Sequence, residues 1–228
     1  MPGATTAHRR IKGKDMNVKR ILPFRIRTLG AVLAVTTLSA CVSAPVPVNY
    51  APSSVMTANG ALSVGEFKYL PAENYSAPAD KQPSAVPAGP RQRSPSANSA
   101  NGGPVAPNQI RNTALGEIHI DRDVKTFVRD AIFAELRFVG IKMNDPKRLL
   151  SGDIQEFLID DLGYSVDWTL RIRYQLVDAA DGKIVYQSVK TVQRNTAKFA
   201  NAFGALNETI KLNVEELIKD PEFLKAIS

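Results

Sequence analysis

Trp168-Thr169-Leu170-Arg171-Ile172-Arg173-Tyr174-Gln175-Leu176 alternates apolar and polar side chains without a break. Period two places Trp168, Leu170, Ile172, Tyr174 and Leu176 on one face of a strand. Thr169, Arg171, Arg173 and Gln175 fall on the other. One dry face and one wet face are the pattern of an antiparallel sheet covered on a single side. Downstream, Asp178-Ala179-Ala180-Asp181-Gly182 supplies a turn, and Lys183–Gln193 returns as the hairpin partner. Upstream, Leu150–Ile159 reads as the preceding strand. Beyond the hairpin, a helix is expected from about Asn201, with Phe203, Leu206, Ile210, Val214, Leu217 and Ile218 on its apolar face. Pro221 then opens a short tail turn, Glu222-Phe223-Leu224.

Further upstream, Gly116–Ile120 is a short strand candidate. Asp121 is expected to cap a helix whose apolar stripe is Val124, Phe127, Val128, Ala131, Ile132 and Leu136. Gly140 is placed to end that helix in a left-handed conformation. The order is strand, helix, three strands, helix. It predicts an α+β fold, a two-layer sandwich with a mainly antiparallel sheet covered on one face by two helices.

The segments before this block differ in composition. Residues 41–60 hold Pro45 and Pro47 with no apolar periodicity, which predicts a flexible tether. Leu62–Leu70 alternates well enough to be a first strand. From Pro71 to Asn112 the chain is crowded with Pro, Ala, Ser, Asn and Gly. Such composition buries too little apolar surface to offset its ordering entropy. About 78–108 is therefore expected to be a disordered insertion inside one domain spanning 61–228. The alternative is a domain that starts near Leu115, with Leu62–Leu70 left in the tether.

The first forty residues read as a leader. Lys19, Arg20, Arg25 and Arg27 precede an uncharged run from Thr28 to Ala40, about a dozen residues and short of the ~20 needed to span a bilayer. A start at Met16 would give a leader of ordinary proportions. Of the 29 Lys and Arg, eight lie within residues 1–40, as does one of the 22 acids, Asp15; removing the leader leaves 21 of each. The basic character of the whole chain thus belongs to the leader, and a nucleic-acid partner is not expected. The single cysteine, Cys41, leaves no disulfide or thiol chemistry to the folded part.

Leu38-Ser39-Ala40-Cys41 resembles the bacterial lipobox. That resemblance implies cleavage before Cys41, a diacylglycerol on its sulfur and an acyl group on its new amine. Each buried methylene contributes roughly 0.8 kcal/mol to membrane binding, so such a lipid anchors without a transmembrane helix. Val42 stands where an Asp would favour inner-membrane retention, which implies the periplasmic face of the outer membrane. The lipobox, the Pro-rich segment, the helix ending in Phe138-Val139-Gly140-Ile141, Leu150-Ser151-Gly152-Asp153-Ile154-Gln155-Glu156-Phe157 and the hairpin tip together resemble the YajG-type lipoprotein family. The same order of elements is similar to the auxiliary lipoproteins of ABC-type lipid transporters and to the lipopolysaccharide-assembly lipoprotein. The resemblance covers roughly residues 115–220 and implies an accessory or assembly role in the envelope, with no catalytic residue and no cofactor beyond the covalent lipid.

The side chains offer little support for catalysis. His119 lies beside Asp121 and Asp123, a thin donor set for a metal or a general base. Asp160, Asp161 and Asp167 surround Gly163 without the alternating oxygen-ligand loop of a calcium site. Glycine loops for phosphate and nucleophile elbows are missing from the sequence. Arg171, Arg173 and Lys190 form a candidate face for a phosphate, a lipid headgroup or an acidic partner. Trp168, Tyr174 and Tyr186 are core residues by spacing, with an acyl-chain groove as the other reading. Three functions follow in order: a non-enzymatic accessory lipoprotein docked to another envelope protein, a lipid- or lipopolysaccharide-binding module, and an envelope-polymer hydrolase using His119.

Overall fold

The computed structural model describes residues 44–75, 103–198 and 200–228. Seven strands form one mixed sheet: β1 Ala61–Tyr69, β2 Gln109–Asn112, β3 Gly116–His119, β4 Lys142–Met143, β5 Arg148–Asp160, β6 Ser165–Asp178 and β7 Ile184–Ala197. Three helices accompany them: α1 Val124–Phe138, α2 Ala202–Ile218 and α3 Pro221–Ile227. β5 is the hub. Along one edge it pairs antiparallel with β6, from Arg148↔Asp178 to Asp160↔Asp167. Its other edge is shared end to end by two parallel partners, β1 beside its first half and β2 beside its last residues. β3 and β4 extend the sheet outside β2 and β1. The longest ladders are antiparallel, and both long helices cover one face, as the alternation of β6 requires.

That covered face is the core. Leu150, Ile154 and Phe157 from β5 meet Leu170, Ile172, Tyr174 and Leu176 from β6, the stripe of α1, and Leu206, Ile210, Val214, Leu217 and Ile218 of α2, all buried. The ring of Phe67 stands edge-on to Tyr174 with centroids 6.1 Å apart. Gly152 makes that contact possible: a Cβ there would lie 2.6 Å from a Phe67 ring carbon and 2.9 Å from the Arg173 carbonyl oxygen. The expected helix stripe, Val124 to Leu136, is buried throughout. Gly140 has the expected positive φ, +107°.

Several details differ from expectation. The N-cap position of α1 is Asp123, not Asp121, and its side chain makes no capping bond. Asp121 is drawn away instead, accepting from the Val48 N–H at 3.4 Å and from Arg122 Nε at 3.1 Å. The tail is a helix rather than a turn. Asp220 caps it through the Glu222 N–H, and Phe223 and Ile227 are buried.

The tether reading is corrected for residues 44–60, which are stitched to the domain. Val46 donates to the His119 carbonyl at 2.8 Å and accepts from the Asp121 N–H at 3.0 Å. Val48, Ser54 and Ala58 are buried. The attachment point for residues 50–54 is Glu135 of α1, itself fully buried, whose carboxylate accepts from the N–H groups of Ser53 and Ser54 and from the Tyr50 hydroxyl. Proline in this segment forgoes a backbone donor, but it does not prevent packing where side chains supply the partners.

The insertion expected at 78–108 lies mostly outside the described residues. Its last part, 103–108, belongs to the fold: Val105 and Ala106 are buried, and Val105 donates to the Pro71 carbonyl at 2.9 Å.

Candidate functional site

The lipobox residues Leu38, Ser39, Ala40 and Cys41 lie outside the described residues. What the structure does place is the exit of the chain toward them. Val46, five positions after Cys41, forms a parallel bridge with Ile120 just after β3.

Arg171 and Arg173 share the uncovered face of the sheet, as the alternation of β6 predicts. Neither is a bare cation. Arg173 donates through Nε and Nη2 to Asp153 Oδ2, at 3.1 and 2.5 Å, and Arg171 lies 3.7 Å from Glu156 across the same ladder. A bulge in β5 between Ile154 and Glu156 keeps both carboxylates on the arginine side.

Lys190 is not part of that face, which corrects the third member of the expected set. In the ladder it pairs with Ile172, and directly opposed residues point the same way. One position of register therefore carries it to the helix side. There Lys190 Nζ donates to Asp220 Oδ2 at 2.7 Å, and the Tyr186 hydroxyl donates to the same oxygen at 2.8 Å. The pair is mostly shielded, with side chains 15% and 18% exposed.

The Lys190 ammonium holds the Asp220 carboxyl below its ordinary 3.8, helped by Tyr186 and the Glu222 N–H and opposed by partial burial. A depressed folded-state value means that this carboxylate stabilises the fold fully above 3.8. The contribution is lost as pH falls through the lowered value. Unfolding measured from about pH 5 down to about pH 2 should therefore show a smaller loss of stability in Asp220→Asn than in the unsubstituted chain. Equal losses would contradict the pairing.

The aromatic candidates are core residues with polar ends satisfied. Trp168 Nε1 donates to Thr196 Oγ1 at 3.1 Å, and the Tyr174 hydroxyl donates to Asn213 Oδ1 at 2.8 Å. Beside Trp168, a small apolar cavity of about 40 Å³ also touches Val46, Ile110 and Phe203. That is well below the roughly 300 Å³ at which ligand pockets begin.

His119 is occupied by Gln109, whose side-chain amide reaches Nε2 while its oxygen accepts from the Ala106 N–H. Among the described residues no group of three or more His, Cys, Asp and Glu is arranged to hold a metal ion. The carboxylates around Gly163 have local partners: Asp160 with Thr113 Oγ1, Asp161 with Lys198, and Asp167 with Asn195. None of the described helices is long and apolar enough to cross a membrane.

The uncovered sheet face also carries an apolar region that the sequence reading missed. Leu149, Val177 and Ile184 stand in register across β5, β6 and β7, with Val185 beside them and Val189 opposite Arg173. Leu149, Ile184, Val185 and Val189 are each more than two-fifths exposed.

No family model matches the chain, and no curated protein does either. Among solved structures it is similar to a Xanthomonas campestris protein of the DUF330 family, at 11% identity and a TM-score of 0.46, over 79% of this chain and 92% of that one. It is also similar to a minor lipoprotein from Acinetobacter baumannii, at 12% identity and a TM-score of 0.29, over 43% and 82% of the two chains. The lipoprotein GNA1162 from Neisseria meningitidis is a third, at 10% identity and a TM-score of 0.26, over 69% and 99%. With scores under 0.5 this likeness establishes neither family nor function.

Proposed function

We propose that the chain is a bacterial envelope lipoprotein, anchored through Cys41 on the periplasmic face of the outer membrane and acting without catalysis as an accessory or assembly component. The YajG-type layout of lipobox, helix and amphipathic hairpin supports this reading. The observation that carries the docking part is the uncovered face of the sheet. Leu149, Val177, Ile184, Val185 and Val189 adjoin Arg171 and Arg173, whose charges Glu156 and Asp153 already balance. A protein partner can cover apolar side chains and pre-paired charges there without stranding a buried ion. An anionic headgroup would instead have to displace those carboxylates. Binding of lipid or lipopolysaccharide by the Arg171 and Arg173 face, or by the small cavity beside Trp168, therefore ranks below docking. A hydrolase built on His119 ranks lower still, since Gln109 occupies the ring nitrogen.

A photo-crosslinking side chain at Val189, in the lipidated protein in living cells, tests the docking surface. Recovery of one defined envelope protein from position 189, and not from Ala180 at the hairpin tip, is the expected result. A uniform spread of abundant outer-membrane proteins from both positions would overturn it.

A further inference from the structure

Three connections meet at the end of the sheet where β3 begins. They are the β2–β3 turn, the β5–β6 turn and the link from β7 to α2. Thr113 of the first donates its N–H to the Ile159 carbonyl at 3.0 Å and its hydroxyl to Asp160 at 2.8 Å. Lys198 of the third reaches the carbonyls of Asp161 and Gly163 in the second, both at 3.1 Å. On this braced platform stand four large apolar side chains in water. Leu115 is 74% exposed, Leu162 73% and Phe203 46%, and Tyr164 is fully exposed. The spacing of α2 predicts Phe203 inside the core, yet it lies in the first turn and is almost half outside.

The described chain starts at the same end, with Ala44. Val46 and Phe203 line one cavity. Val46 runs parallel to the segment leaving β3, so Ala44 and Pro45 before it lie on the side toward Gly116 and Leu115. Five residues, even fully extended, span at most about 18 Å. The hairpin tip is at the other end of β5, whose 13 residues cover roughly 43 Å at strand rise. A short leash attached at one end keeps that end at the surface holding the lipid.

We infer that Leu115, Leu162, Tyr164 and Phe203 form a membrane-contact surface that seats this end of the domain in the bilayer interface beside the acylated cysteine. The inference rests on the anchored reading. A tyrosine with neighbouring aliphatic side chains and a lysine is the composition that interfaces favour. Lys198, the cation of the β7–α2 link, is already engaged by the Asp161 carboxylate and by the carbonyls of Asp161 and Gly163, so apolar insertion rather than attraction to anionic lipid supplies the contact. Uncharged lipid therefore suffices. Seated in this way, the chain presents the hairpin end and the Leu149–Val189 region away from the membrane, toward a partner.

The test couples the chain through Cys41, its single cysteine, to a maleimide-bearing lipid in phosphatidylcholine vesicles with brominated acyl chains. This fixes the anchor chemically, whether or not cells acylate it, so failure of the lipobox reading is seen separately, as missing fatty-acid incorporation in cells. Tryptophan emission is compared for Tyr164→Trp, Leu162→Trp and Ala180→Trp, after subtracting the Trp168 signal of the unsubstituted chain. At least twofold quenching at 164 and 162, with little at 180, is expected, and it should persist at high salt. Equal quenching at the three positions, or none at 164 and 162, would overturn the inference.

Discussion

Replacing Glu135 by Ala should lower the unfolding free energy by about 2–4 kcal/mol and release residues 50–54 to proteolysis. The carboxylate is fully buried and accepts three hydrogen bonds, from the N–H of Ser53, the N–H of Ser54 at 2.6 Å and the Tyr50 hydroxyl at 2.5 Å. Burial and the neighbouring carboxylate push the Tyr50 phenol far above its usual range, so it remains a donor across ordinary pH. Truncation removes every acceptor at once, and each stranded donor costs on the order of 1–3 kcal/mol. The segment can escape part of that cost by peeling into water. The total is thus limited to the free energy of local opening. Glu135→Gln keeps one acceptor oxygen and should fall between. Urea unfolding and hydrogen exchange at Ser53 and Ser54 read both effects. Unchanged protection in Glu135→Ala would show that the segment is held by something else.

The second large effect is expected at Asn213. This fully buried side chain of α2 accepts from the Tyr174 hydroxyl at 2.8 Å and donates to the carbonyls of Leu170 and Lys190, both at 3.1 Å. It ties the helix layer to β6 and β7 at the centre of the core. Asn213→Leu keeps the volume but strands a phenol and two carbonyls, at a cost of about 3 kcal/mol. Adding Tyr174→Phe removes the orphaned donor and should recover about 1 kcal/mol of that loss. A double-substitution cycle by urea unfolding measures the coupling. Strict additivity of the two changes would contradict a direct bond between them.

These two residues also mark where sequence reading stops. The β6–β7 hairpin, its turn and the α1 stripe were legible because period two and period 3.6 are carried by large side chains over ten or more positions. β2 and β4, four and two residues long, are too short for any period to register. Glu135 and Asn213 interrupt otherwise apolar helix faces, where a polar residue reads as surface. Their partners lie more than twenty residues away in every case. Residues 44–60 looked like a tether for the same reason, since Val46 is held by backbone groups of His119 and Asp121 and residues 50–54 by a carboxylate on a helix more than eighty positions later. The Arg171 and Arg173 face was legible from alternation alone. Lys190 was misplaced because its side depends on one residue of register, which composition does not encode. Phe203 fits the helical stripe yet lies in the first turn of α2 and is 46% exposed, an outcome that helix period alone does not encode.

The anchor is the premise on which the proposed location and orientation rest, and metabolic labelling with a radioactive fatty acid tests it most directly. Growth with labelled palmitate should mark the protein, and Cys41→Ala should abolish the label while leaving the folded chain detectable. Equal labelling of the two proteins, or none in the unsubstituted chain, would contradict the account.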